Sequence, residues 1–207
     1  MLNADHPMYL ILAPRGAGGV SLDYLALGVK HIWGGLDHLL FVFGLLMLIS
    51  GGCRLLWTVT AFTLGHSVTL ALAALGIIQY PVDLIEVLIA VSVFTLAVTL
   101  TSKNQERLLW RSPGWLAAGF GLLHGMGFAG ALLEIGLPSK NLLLALFSFN
   151  IGIEVGQILF IAAFLLPWRY LKDRPGTQFG AVRWASIYLL GSLAAYWTME
   201  RSVIAFG

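Results

Sequence analysis

The chain has 207 residues, of which 58% are hydrophobic and 11% charged, with a formal net charge of +2 and a mean hydropathy of +0.86. Soluble domains carry about 25% charged residues, so this composition excludes an ordinary soluble domain, and its apolar content excludes a disordered chain. The basic residues are few and scattered, which excludes a nucleic-acid partner, and the single cysteine, Cys53, excludes a disulfide framework or a Cys-rich metal site.

What remains is an integral membrane protein in the lipid bilayer. The stretch from Met1 to Gly19 has no basic start followed by an apolar run, so the first apolar helix is expected to act as its own insertion signal. In chain order, six segments are apolar and long enough to span, at roughly 23–50, 54–77, 82–102, 113–135, 141–167 and 181–200. The first and fifth have length to spare for tilt. Gly51-Gly52 separates the first pair, Pro81 opens the third segment, Pro113 opens the fourth and Pro138 precedes the fifth. A polar loop is expected from Pro167 to Gly180. The expected fold is all-α: a polytopic membrane helix bundle of about six transmembrane helices forming a single transmembrane domain over the whole chain.

Basic residues set the orientation. Arg54, Lys103, Arg107, Arg111, Arg169, Lys172, Arg174 and Arg183 fall on one side; Arg15, Lys30, Lys140 and Arg201 fall on the other. The richer side is expected to be cytoplasmic, which leaves both termini extracytoplasmic. A multi-pass protein of the inner (plasma) membrane is expected.

Ionisable residues inside a span cost roughly 2.5–3.5 kcal/mol each on insertion scales, so those that persist face the bundle interior and mark function. Four of the five histidines lie inside predicted spans, all but His6, and so do Asp37, Glu86 and Glu154. The first segment carries His31-Ile32-Trp33-Gly34-Gly35-Leu36-Asp37-His38. His31 and His38 are two turns apart on one face, and Asp37 either ligates or orients an imidazole. The second carries His66 beside Thr63, Ser67 and Thr69. Ser67 is no catalytic partner for His66, because adjacent helical residues do not face each other. The fourth carries His124 among Gly119, Gly121, Gly125, Gly127 and Gly130, which permit close backbone approach. The fifth carries Asn150, Glu154 and Gln157 as one polar stripe. Glu86 and Glu134 read as interfacial carboxylates, Glu86 with an alternative role at the site.

Counted at about 1.5 Å per residue from the outer end of each straight helix, His31 is roughly 12 Å deep and His38 roughly 22 Å. On the same count His66, His124 and Glu154 lie at roughly 16–20 Å and Asn150 at roughly 14 Å. One layer thus gathers His31, Asp37, His38, His66, His124, Asn150 and Glu154, with Glu86 nearer the surface, as candidate metal ligands. Imidazole and carboxylate without thiolate suit a divalent metal ion such as Ni, Zn or Co. On a straight helix His31 and His38 are about 10.5 Å apart along the axis. Either the helix unwinds at Gly34-Gly35, or the two residues belong to successive sites.

These motifs carry a resemblance. The runs from His31 to Leu40, from Ala61 to Leu70, Gly121-Leu122-Leu123-His124-Gly125-Met126-Gly127-Phe128-Ala129 and Phe149-Asn150-Ile151-Gly152-Ile153-Glu154-Val155-Gly156-Gln157 together resemble the HupE/UreJ membrane proteins, in particular the second HupE/UreJ-like group. The resemblance covers about Tyr24 to Leu166. It implies a multi-pass protein linked to nickel supply for hydrogenase and urease, with metalloenzyme maturation partners. The His31/Asp37/His38 spacing also resembles the helix-one signature of nickel permeases. Hydrogenase-type members carry a His-rich run downstream, of which only His124-Gly125 has a counterpart here.

Three functions fit this inventory. The first is a divalent-metal permease or metal-handling protein, with His31 capturing the ion and the deeper residues binding it. The second is an intramembrane zinc hydrolase acting on a lipid or membrane peptide, with Glu154 or Glu86 as general base. The third is an accessory or assembly subunit. One compact site with an open water position favours the hydrolase, and two or more sites along a path favour transport. No phosphate-binding loop is present for an ATPase. The sequence leaves open both the enzymatic question and homo-oligomerisation.

Overall fold

Gly35 divides what the sequence presents as one long first helix. In the computed structural model, which describes residues 16–102, 112–135, 141–173 and 179–207 (backbone alone at 129–135 and 173), α1 covers Ala17–Gly34 and α2 covers Leu36–Leu48. The two are bent by 75° at that single residue. The chain continues as α3 (Gly52–Ala74), α4 (Val82–Thr101), α5 (Pro113–Ile135), α6 (Leu142–Asp173) and α7 (Phe179–Phe206). Every described element is helical, and the fold is an all-α membrane bundle. This is what bilayer burial dictates: a helix satisfies its own backbone N–H and C=O groups where no water can.

Among the described residues, α3, α4 and α6 are each long and apolar enough to cross a membrane, and α1 with α2 qualifies as one broken span. The predicted fourth and sixth segments are the helices α5 and α7. Helix starts follow local chemistry: Pro81 caps α4 and Pro113 occupies the first position of α5, where a missing N–H costs nothing. Two expectations change. The loop expected from Pro167 is helical as far as Asp173, since α6 carries Pro167 inside it. In addition α7 continues past residue 200 to Phe206, so Arg201 is a helical residue. Of the cations that set the orientation, Arg15, Lys103, Arg107, Arg111, Lys140 and Arg174 lie outside the described residues, as do His6, Pro138 and the side chain of Glu134.

Small residues set the closest packing. A Cβ on Gly121 of α5 would lie 2.1 Å from the Phe62 carbonyl oxygen of α3, and one on Gly65 of α3 would lie 2.2 Å from that of Ala118. The α1·α6 contact repeats the device. Gly28 and Gly152 each leave room for the other helix's backbone, with virtual Cβ positions 2.1 Å from the carbonyl oxygens of Phe149 and Leu25. Helices without a hydrophobic drive to associate in lipid use such backbone approach. Three of these four glycines sit one or three residues before a histidine: Gly28 before His31, Gly65 before His66, Gly121 before His124.

Two apolar clusters complete the core. One is built from α2, the first half of α3, the later halves of α4 and α6, the first and middle part of α7 and Ala117 of α5, with Phe41, Leu45, Phe62 and Leu96 nearly fully buried. The other joins Ile32, Leu70, Phe149 and Ile153. His38 precedes Phe41 by one turn, His66 lies between Phe62 and Leu70, and His31 adjoins Ile32. The histidines therefore occupy the level where the clusters meet.

Candidate metal centre

The bend at Gly35 builds the site. Its N–H donates to the His31 carbonyl oxygen at 2.9 Å, closing α1, and its own carbonyl accepts from Leu39 N–H at 3.1 Å, opening α2. Gly35 has φ −89°, so the residue is needed for space rather than for handedness. A Cβ there would lie 2.9 Å from His38 Nδ1 and 3.1 Å from the His31 carbonyl oxygen. The bend brings the His31 and His38 rings to a centroid separation of 4.7 Å. Of the two alternatives left by the sequence, the helix break is the one observed, and the rings stand closer than the separation of about 10.5 Å along a straight helix.

His66 comes in from α3 with its ring centroid 5.8 Å from that of His31 and 5.9 Å from that of His38. One ligand nitrogen from each of His31, His38 and His66 lies within 4.8 Å of the other two. Metal–nitrogen bonds of about 2.0–2.1 Å place tetrahedral ligand atoms roughly 3.3 Å apart, so modest side-chain rotation closes these three around an ion. His124 from α5 is a fourth imidazole, 4.7 Å from His38 by ring centroid and just outside that trio.

The hydrogen bonds decide which nitrogens are open. Asp37 Oδ1 accepts from both the backbone N–H of His38 at 2.9 Å and its Nδ1 at 3.0 Å. That places the proton on Nδ1 and leaves the Nε2 lone pair without a partner, the arrangement by which a carboxylate orients a ligating imidazole. Ser92 of α4 donates to the Ile89 carbonyl at 2.7 Å, so its oxygen accepts from His124 Nε2 at 3.1 Å. His124 therefore keeps its lone pair on Nδ1. Among the described residues, His31 Nε2, His38 Nε2, both nitrogens of His66 and His124 Nδ1 are buried with no hydrogen-bond partner. His66 and His124 are fully buried and His38 is 5% exposed. An orphaned buried polar atom costs about 1–3 kcal/mol. A neutral imidazole has one lone pair, so these five nitrogens on four rings offer at most four lone pairs, a donor type that suits a divalent cation.

A cavity of about 140 Å³ adjoins the imidazoles and is lined by His31, His38, His124, Asp37, Glu86 and Arg201. Its mouth is charged. Arg201 reaches Asp37 Oδ2 at 3.4 Å, donates to the Glu86 carbonyl at 3.1 Å and places Nε 3.8 Å from Glu86 Oε2. Asp37 is thus held between His38 and Arg201.

The structure does not bring all candidates together. Glu86 stands at the cavity rim, its side chain 46% exposed. Glu154 Oε1 accepts from Thr60 Oγ1 at 2.5 Å, and Gln157 Oε1 accepts from Thr63 Oγ1 at 2.8 Å, both across the α3·α6 contact. Asn150 Nδ2 donates to the Leu146 carbonyl one turn back at 2.8 Å. Neither Glu154 nor Asn150 lines the cavity. Ser67 donates to the Thr63 carbonyl at 2.7 Å, a local helix bond. Sequence reasoning missed Arg201 and Ser92. Arg201 lies past the predicted end of its span, and Ser92 is a single small hydroxyl in an apolar helix.

Neither the curated proteins nor the solved structures contain a match to this chain. The family described as HupE / UreJ protein matches residues 10–201, nearly the whole length, and the chain belongs to that family.

Proposed function

We propose that the protein is a nickel-type divalent-metal permease of the inner membrane, with six spans, both termini outside, and the imidazoles of His31, His38 and His66 as the site where the cation is held. The observation that carries this reading is the group of three imidazoles that each offer a ligand nitrogen within 4.8 Å of the other two in the bundle interior, with unpartnered nitrogens on all three rings. The cation enters by the mouth that Asp37, Glu86 and Arg201 surround, and His124 is the adjacent fourth donor. The polar face of α3 continues from His66 through Thr63 to Thr60, at about 4.5 Å per step. Gln157 and Glu154 meet it there, which supports onward passage beyond the imidazoles. Ni, Zn and Co all suit the donor set by ligand type. The family's link to nickel supply for hydrogenase and urease favours Ni, with maturation proteins as downstream partners.

The test is uptake of Ni²⁺, Co²⁺ and Zn²⁺ into proteoliposomes, with His38→Ala as the control. Uptake by the wild type that vanishes in the variant, at equal reconstitution, is the expected result. Equal flux in both defeats the permease.

A zinc hydrolase is the second reading, favoured by one compact site with an adjoining cavity rather than a string of separate imidazole sites. The same three imidazoles would hold the metal, whose chemistry is activation of a bound water. Glu86 is then the carboxylate placed to handle a proton at the cavity rim, and Arg201 the cation placed to meet an anionic substrate group. Cleavage of a lipid or membrane peptide without cation flux would select this reading over the first.

A further inference from the structure

At the opposite, basic side of the bundle lies a second polar cavity that the metal reading does not use. It measures about 550 Å³ and is formed where the end of α2 and the start of α3 meet α6 and α7. Arg169 and Lys172 from α6 and Arg183 from α7 line it, and no Asp or Glu is among its described lining residues. Arg183 donates one amine to the Leu100 carbonyl at 3.2 Å, which fixes its guanidinium at the wall. α3 begins here at Gly52, preceded by Gly51 at φ 108° with no side chain capping the first N–H groups, so the positive end of that helix adds to the same field. Ser50, Gly51 and Gly52 form one wall, and the remaining walls are apolar. Leu46, Leu55 and Leu165 line them, and Trp168 stacks edge-on against Phe179 at 5.0 Å.

Three cations beside a partly apolar wall, with no carboxylate among the described lining residues, suit an amphipathic anion. We propose that this cavity binds the phosphate group of an anionic phospholipid, with the acyl chains leaving along the leucine wall. A basic pocket between membrane helices on the side expected to be cytoplasmic has the chemistry for such a headgroup. The inference is independent of the metal site.

Native mass spectrometry of delipidated protein titrated with phosphatidylglycerol or phosphatidylcholine tests it. Phosphatidylglycerol is expected to be retained about tenfold more strongly. The combined Arg169→Gln, Lys172→Gln and Arg183→Gln variant is expected to lose that preference. Arg54→Gln, which removes a cation on the same side outside this cavity, is expected to keep it. The wild-type comparison of two lipids stands even if the triple variant does not fold. Equal retention of the two lipids overturns the proposal, as does an unchanged preference in a folded triple variant. So does inorganic phosphate alone raising the melting temperature as much as phosphatidylglycerol, because the ligand is then a free anion.

Discussion

Two polar regions lie within the same bundle, and they are built differently. At the α3·α6 contact, Thr60 meets Glu154 and Thr63 meets Gln157, each hydroxyl donating to an oxygen of the opposite helix. At the bend between α1 and α2, four imidazoles converge, and five of their nitrogens have no partner among the described residues. The first region shows how a membrane protein makes polar oxygens tolerable, by pairing them with hydroxyls across the contact, and leaves one amide donor, Gln157 Nε2, buried without a partner among the described residues. The second leaves lone pairs open while fixing tautomers from behind, through Asp37 on His38 and Ser92 on His124. Burial alone does not separate the two, since Gln157 and His66 are both fully buried. The disposition of donors and acceptors does.

The comparison is broken most sharply at His38. His38→Ala removes a nitrogen of the trio and is expected to weaken binding of Ni²⁺ or Zn²⁺ by more than ~100-fold in calorimetric titration, a larger loss than any change behind the ligands brings. Asp37→Asn leaves the imidazoles in place and weakens their orientation; the same titration is expected to show a loss of about 10–100-fold. Acidification acts on the open region alone. Metal binding requires neutral imidazole, so protons compete with the metal and affinity is expected to fall once the pH is low enough to protonate the ligand rings, as pH-dependent calorimetric titration would read. Glu154→Gln probes the paired region and is expected to have the smallest effect on binding. Gln retains an acceptor for Thr60, so metal affinity should stay within about twofold and stability within about 1 kcal/mol. On the permease reading, the same variant slows proteoliposome uptake.

Much of this was legible in the sequence, and for stated reasons. Long apolar runs and their proline and glycine boundaries located the helices, because the bilayer leaves few alternatives. The cost of burying ionisable groups marked His31, Asp37, His38, His66 and His124 as a set, together with Glu86 and Glu154. Helical geometry even reduced His31 and His38 to two alternatives. It did not choose between them, because a Gly-Gly pair permits a break without requiring one, and the deciding contact is the clash a Cβ at Gly35 would make with His38 and His31. Glu154 and Asn150 share the depth of the histidines but face other partners, and depth along a helix carries no information about which neighbour a side chain meets. Arg201 was assigned to the outer side on charge, but its place over Asp37 and Glu86 depends on α7 running on to Phe206.

The central claim is that open imidazole nitrogens from α1, α2 and α3 hold one cation. X-ray absorption at the metal edge of the purified protein loaded with one equivalent of Ni²⁺ or Zn²⁺ addresses it directly. The account predicts bound metal near one per chain, with imidazole scattering from about three rings at nitrogen distances typical of histidine ligands, roughly 2.0–2.1 Å, reduced by one ring in His66→Ala. An oxygen-only shell, or metal retained unchanged in that variant, would contradict it.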